Sequence, residues 1–177
     1  MSASISPTAY GDVSVPTVLK IERVLPGPIE RVWSYIVDSD LRRQWLASGD
    51  LKQEAGSTYE FTWHNDALSD PPSKRPDGFQ ESHSMKGKVL QVNAPHMLLI
   101  SWGTASEVLF ELEPAGKSVL LRLTHRKLPD RGSSLNVSAG WHVHLDALVA
   151  KLNGERVGPF WENWLARKAE YDARIPG

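Results

Sequence analysis

The chain has 177 residues, with 20 Lys+Arg against 21 Asp+Glu and a pI near 6.6, so it shows no charge bias toward a phosphate backbone or an anionic membrane surface, and nucleic acid is not an expected partner. It has no cysteine, which excludes disulfides, thiolate nucleophiles and thiolate metal sites and fits a reducing compartment. Its length suits one domain around one core, and no apolar run approaches the ~20 residues that cross a bilayer, so no membrane insertion is expected.

Residues 1–17, rich in Ser, Ala and Pro and without a basic or apolar leader pattern, read as a flexible N-terminal tail, which places the protein in the cytoplasm. A single domain is expected over 18–177. The alternation from Val18 to Val24 predicts a first strand, which Pro26-Gly27-Pro28 stops. Pro28 suits the first position of a helix, where a missing N–H costs nothing, and Ile29, Val32, Trp33 and Ile36 supply that helix with an apolar stripe. Asp38 or Ser39 can cap a second short helix carrying Leu41, Trp45 and Leu46, with Gly49 as its stop.

Thr58 to Trp63 alternates with period two, placing Tyr59, Phe61 and Trp63 on one face of a strand. His64 to Gln80 contains Pro71-Pro72, Pro76 and Asp77-Gly78, and reads as a long exposed loop of the kind that borders a site. Met85–Val92, Met97–Trp102, Glu107–Leu112 and Ser118–Arg126 follow as strands, antiparallel because their connections are too short for helical crossovers. In the last of them Val119, Leu121, Leu123 and His125 share a face.

The period then lengthens. Ser138, Trp141, Leu145, Leu148 and Leu152 predict a long helix with an apolar seam, capped by Ser133 or Ser134 and stopped at Gly154. Gly140 inside it costs about 1 kcal/mol relative to Ala, which predicts close packing against the backbone there. A last helix starts at Pro159, with Phe160, Trp161, Trp164 and Leu165 on its apolar side. This order predicts an α+β fold: a curved antiparallel sheet wrapped on the long C-terminal helix, two short helices after the first strand, and an apolar cavity near those short helices.

The segments Pro28-Ile29-Glu30-Arg31-Val32-Trp33, Arg43-Gln44-Trp45-Leu46, Gly87-Lys88-Val89-Leu90, Leu99-Ile100-Ser101-Trp102-Gly103 and Gly140-Trp141-His142-Val143-His144-Leu145-Asp146 resemble, in order, the START-like (SRPBCC) superfamily, in particular its bacterial Hsp90-ATPase-activator-homologue branch. The most specific part is the Gly-Trp-x-x-His-Leu-Asp run followed by Pro159-Phe160-Trp161. The resemblance implies a helix-grip fold with a hydrophobic pocket. The superfamily includes lipid carriers, metabolite binders, polyketide cyclases and co-chaperone domains, so fold alone does not choose among them.

Candidate site residues are weighed within that frame. His142 and His144 diverge by about 200° on a helix and cannot hold one metal ion together. His142 and Asp146, one turn apart, form either an acid/base pair or a surface or interface pair. His125 is either a polar handle in the cavity or a solvated ring at the sheet edge. Trp33, Trp45, Tyr59, Phe61, Trp63, Trp102, Trp141, Leu145 and Leu148 are the other cavity candidates, with ordinary core as the alternative. No Gly-rich phosphate loop, nucleophile elbow or His-Glu-x-x-His helix is present, so no catalytic residue, metal or cofactor is assigned.

The expected function is binding or carriage of a small hydrophobic or aromatic molecule. One alternative is a cyclase- or hydrolase-like enzyme using His125, Tyr59 or His142 in the same cavity. The other, carried by the branch name, is an Hsp90-type chaperone-associated regulator with a role in stress response. It ranks last because the stretch before Val18 is too short for the separate Hsp90-binding domain of the co-chaperones. A homodimer is compatible with all three.

Overall fold

The computed structural model describes residues 9–15, 17–68 and 73–175. Six strands, β1 (Leu19–Pro26), β2 (Thr58–Trp63), β3 (His83–Asn93), β4 (Met97–Trp102), β5 (Ser106–Ala115) and β6 (Ser118–Arg126), form one sheet in the order β1-β6-β5-β4-β3-β2. Every neighbouring pair is antiparallel. The helices are α1 (Ile29–Val37), α2 (Ser39–Arg42), the long α3 (Arg131–Leu152) and α4 (Phe160–Arg174). The curved sheet and the long C-terminal helix are the expected helix-grip arrangement.

Alternation sets the inner face. Leu19, Ile21 and Leu25 of β1 are buried beside Val119, Leu121 and Leu123 of β6, and Val108, Phe110 and Leu112 of β5 continue that layer. Between β3 and β4 the register shifts at Val89/Gln91, an irregularity of the kind that bends a strand. Gly87 of β3 lies where a Cβ would sit 2.6 Å from both the Tyr59 ring and the Ser101 carbonyl. Its missing side chain lets Tyr59 cross the strand and donate its hydroxyl to Ser101 O.

Helix α3 buries two faces at once. The seam of Trp141, Leu145, Leu148 and Leu152 packs in the main core, while Ala139 and Val143 form a second cluster with Phe160, Trp161 and Trp164 of α4 and with Leu68. Its cap is Asp130, whose carboxylate accepts from Ser133 N at 2.7 Å, and not Ser133 or Ser134; the helix begins earlier than expected, and Ser134 is buried within it.

The short helices also differ from expectation. Pro28 sits at the N-cap of α1 rather than inside the first turn, and α2 ends before Trp45 and Leu46. The reason lies in Arg42, which is 1% exposed. Its guanidinium donates to the carbonyls of Ile36 (3.0 Å), Val37 (3.2 Å), Ala47 (3.1 Å) and Gly49, and lies 4.2 Å from the Phe61 ring centre. Four carbonyls gathered by one cation hold the chain in a compact turn instead of a longer helix. The loop expected over His64 to Gln80 contains a short 3-10 turn at Asn65–Leu68, part of it falls outside the described residues, and β3 starts before Met85, at His83.

Residues 9–15, within the segment read as a tail, are packed on the domain. Asp12 bridges to Lys20, Val13 is buried, and Tyr10 packs edge-on to His142 and Tyr171 at 5.0 and 5.5 Å. Residues 1–8 and 16 lie outside the described residues.

Replacing Arg42 by Met keeps the stem volume and leaves several buried carbonyls without donors. The expected loss is about 3 kcal/mol, read in urea denaturation, with a fall in Tm of roughly 6–12 °C.

Candidate functional site

A cleft of about 590 Å³ opens between the ends of β2, β3 and β4, the first half of α3, and α4. The sheet supplies Trp63, Met85 and Trp102, α3 supplies Val137, Gly140, Trp141 and His144, and α4 supplies Phe160, Trp161 and Trp164. Phe79, on the segment before β3, packs on Trp161 and Trp164 with ring centres 5.1 and 5.2 Å away and remains 43% exposed at the rim. Opposite it, Trp63, Trp102 and Trp141 make a second wall, with centre separations of 5.6 and 5.1 Å along the series. The cleft therefore lies between two aromatic surfaces.

The second wall is fixed by a directional chain of hydrogen bonds. Trp141 Nε1, which can only donate, lies 3.0 Å from His125 Nδ1. His125 must then carry its hydrogen on Nε2, which faces Ser106 Oγ at 2.7 Å, and Ser106 Oγ in turn donates to Trp102 O at 3.3 Å. His125 is fully buried, and desolvation pushes its pKa down to about 4. The ring is neutral, has no free lone pair, and stands behind Trp102 and Trp141. It is neither a handle in the cleft nor a solvated edge residue.

His142 points to the other side of α3. Its Nδ1 is 2.9 Å from the Tyr171 hydroxyl, which itself accepts from Gly11 N at 2.8 Å. Asp146 is 3.6 Å from His142 Nε2 and 3.1 Å from the guanidinium of the buried Arg23, which also holds Ala9 O. His142 is thus buried and Asp146 half-buried, with Arg23 and not His142 as the carboxylate's hydrogen-bond partner. Burial, with Arg23 adding repulsion, lowers the His142 pKa to about 3.

Of the ten candidates, Trp63, Trp102 and Trp141 line the cleft. Trp33, Trp45, Tyr59, Phe61, Leu145 and Leu148 are packed in the core, and His125 supports the wall from behind. Around these core residues the space is filled: Trp33 Nε1 reaches Gln53 Oε1 at 2.9 Å, Trp45 Nε1 reaches Tyr35 O at 2.8 Å, and Phe61 lies under Arg42, while a second, more polar hollow of about 480 Å³ beside α2 is lined by Arg43, Gln44, Leu46 and Thr62. Tyr59, His125 and His142, the acid/base candidates, do not line the cleft.

Phe79, Gly140, His144, Phe160, Trp161 and Trp164 were not among the candidates. Gly140 carried a signal that pointed elsewhere. A Cβ on it would meet Trp164 Nε1 at 4.0 Å and nothing closer, so no neighbour presses on the backbone; the position faces open cleft. Among the described residues no cluster of three His, Cys, Asp or Glu is placed to hold a metal ion, and no helix is long and apolar enough to cross a membrane.

A curved antiparallel sheet gripping a long C-terminal helix beside an aromatic cleft defines a helix-grip, START-like (SRPBCC) protein. The chain belongs to the AHSA1-like family: the model described as Activator of Hsp90 ATPase homolog 1-like protein matches residues 26–153. The protein encoded by gene BPP1335 from Bordetella parapertussis, solved by NMR, is 36% identical over 100% of this chain and 97% of its own, with a TM-score of 0.79. CalU16 from Micromonospora echinospora is 20% identical over 95% and 96% of the two chains (TM-score 0.66), a likeness of fold alone. The same holds for the conserved protein of unknown function EF2215 from Enterococcus faecalis, 15% identical over 94% and 91% (TM-score 0.66). No curated protein matches the chain. Family and fold support a ligand-binding or regulatory role in general terms.

Acid should unfold this protein through its buried imidazoles. His125, His142 and His144 have pKa values lowered to about 4, 3 and 4 by burial, whereas an unfolded histidine protonates near 6.5. Below pH 6.5 the unfolded chain binds protons that the folded one refuses, so the stability these groups allow is complete above that pH and lost as pH falls toward 4. At ~1.4 kcal/mol per unit per group, the three together should remove about 3–4 kcal/mol between pH 6 and 5, read from urea denaturation at each pH.

Proposed function

We propose that the protein binds or carries a small hydrophobic, aromatic molecule in the cleft between the sheet, α3 and α4. The observation that carries this reading is Gly140. A glycine in mid-helix is about 1 kcal/mol worse than alanine, and here no protein atom needs the room it leaves. What it preserves is cleft volume.

The surroundings support the same occupant. A volume of about 590 Å³ lies within the range of small-molecule sites, and tryptophan faces on two sides suit a flat aromatic body held by offset stacking. Phe79 at the rim follows Gly78, whose φ of 92° is open to glycine at no steric cost. Burying ~300 Å² of ligand surface gives roughly 7 kcal/mol before the costs of association, so area burial alone falls short of the ~8 kcal/mol of micromolar affinity, and stacking and polar contacts must add to it in a cytoplasmic carrier or sensor.

Gly140 separates this reading from a purely structural one by opposite signs. Gly140→Ala should raise stability by about 0.5–1 kcal/mol in urea denaturation, through helix propensity. Gly140→Leu should weaken binding of a naphthalene-type probe tenfold or more, followed by quenching of tryptophan fluorescence. Unchanged probe binding in a folded Gly140→Leu protein would count against the cleft as the binding site.

A further inference from the structure

The cleft holds a polar group whose hydrogen-bonding role is fixed by the fold and then left unused by it. His144 of α3 is only 6% exposed, lies tilted on Phe160 with ring centres 5.0 Å apart, and lines the cleft beside Leu46. Its Nδ1 is 2.8 Å from the carbonyl oxygen of Trp45. A carbonyl only accepts, so Nδ1 carries the hydrogen and Nε2 carries the lone pair. No described residue gives Nε2 a hydrogen-bond partner. Asn65 Oδ1, on another cleft-lining residue, is likewise buried without a donor. Two unpaired acceptors thus stand at a largely aromatic and aliphatic cleft, whose lining also includes the polar residues Gln80, Glu81, His83 and Asn136.

We propose that the ligand bears a neutral hydroxyl of phenol type on its aromatic body, and that this hydroxyl donates to His144 Nε2. The inference rests on the reading of the cleft as a ligand site and names the chemistry it selects. An ionised carboxylate has no hydrogen to give, and an ether or ketone offers only another acceptor against a lone pair. An ammonium group can donate, but it brings a charge beside a residue that is itself kept neutral by desolvation, and the cleft-lining carboxylate, Glu81, is on its exposed side. At neutral pH the imidazole is unprotonated, so the lone pair is available whenever the protein is folded. The tautomer is imposed by a backbone carbonyl, which no change of side chain at Trp45 removes.

Three naphthalene probes test this on the full chain: 2-naphthol, 2-methoxynaphthalene and 2-naphthylmethylammonium, titrated by tryptophan fluorescence and calorimetry at neutral pH. The expected result is that 2-naphthol binds about five- to tenfold more tightly than either of the others, as one net neutral hydrogen bond provides. His144→Leu should abolish that preference, the ratio of 2-naphthol to 2-methoxynaphthalene affinity falling to about one. Because Leu also removes the bond to Trp45 O, the wild-type protein is read in parallel: the ¹⁵N resonance of His144 Nε2 should move upfield with 2-naphthol and stay put with 2-methoxynaphthalene. Equal binding of the naphthol and its methyl ether with an unmoved Nε2 resonance overturns the hydroxyl assignment and leaves the cleft reading standing. Tighter binding of the ammonium probe overturns the neutral donor in favour of a cation. If none of the three binds, both readings fall together.

Discussion

Everything in this protein turns on α3 having two buried sides. A helix of this length could satisfy a sheet with one apolar stripe, and the seam through Trp141, Leu145 and Leu148 does that. The remaining side, through Ala139 and Val143, would then be left to water, and α4 covers it with Phe160, Trp161 and Trp164. Because α4 crosses one flank while the sheet curves under the other, the first half of α3 is left with a gap between them. The cleft is the space that two packing partners, each with its own geometry, fail to share. Its aromatic character follows, since both partners present tryptophan where they separate.

The fold was largely legible because it is written in periods. Alternation at Thr58–Trp63 and Ser118–Arg126, and the seam from Ser138 to Leu152, each state which residues face inward, and the structure follows them. The site was much less legible, because periodicity marks burial and does not say whether the inward residue meets protein or empty space. Trp45 and Trp63 look alike in the sequence, yet the first is enclosed by the turn that Arg42 organises and the second stands at the cleft. Arg42 was the hidden variable. A charged residue in a short helix reads as solvated, and only its four carbonyl partners reveal that it is buried inside the turn and encloses Trp45 and Phe61 there. Gly140 was seen and misread, since a glycine signals that space is needed without saying whose.

The three buried histidines show one residue type doing three jobs under one constraint. Each is desolvated and neutral; a donor-only indole fixes which nitrogen holds the hydrogen in His125 and an acceptor-only backbone carbonyl fixes it in His144, while His142 meets a phenol that can donate or accept. His125 spends both nitrogens inside the protein and serves as a strut between two tryptophans. His142 joins the N-terminal segment to α3 and α4. His144 alone keeps a lone pair toward the cleft. Position in the fold and the partner met there, rather than the chemistry of the ring, decides the role.

The contacts of residues 9–11 carry a consequence for how the molecule comes into being. Tyr10 engages Glu170, Gly11 engages Tyr171, and β1 lies next to β6, so this early part of the chain finds partners far downstream, in β6 and α4. During synthesis β1 must wait on the ribosome with Arg23 without its carboxylate partner until Asp146 has emerged from the exit tunnel, and the contact of Gly11 waits for Tyr171. Completion of the domain is therefore tied to the last turns of α4, and a nascent chain halted before them would display its inner sheet to whatever waits outside.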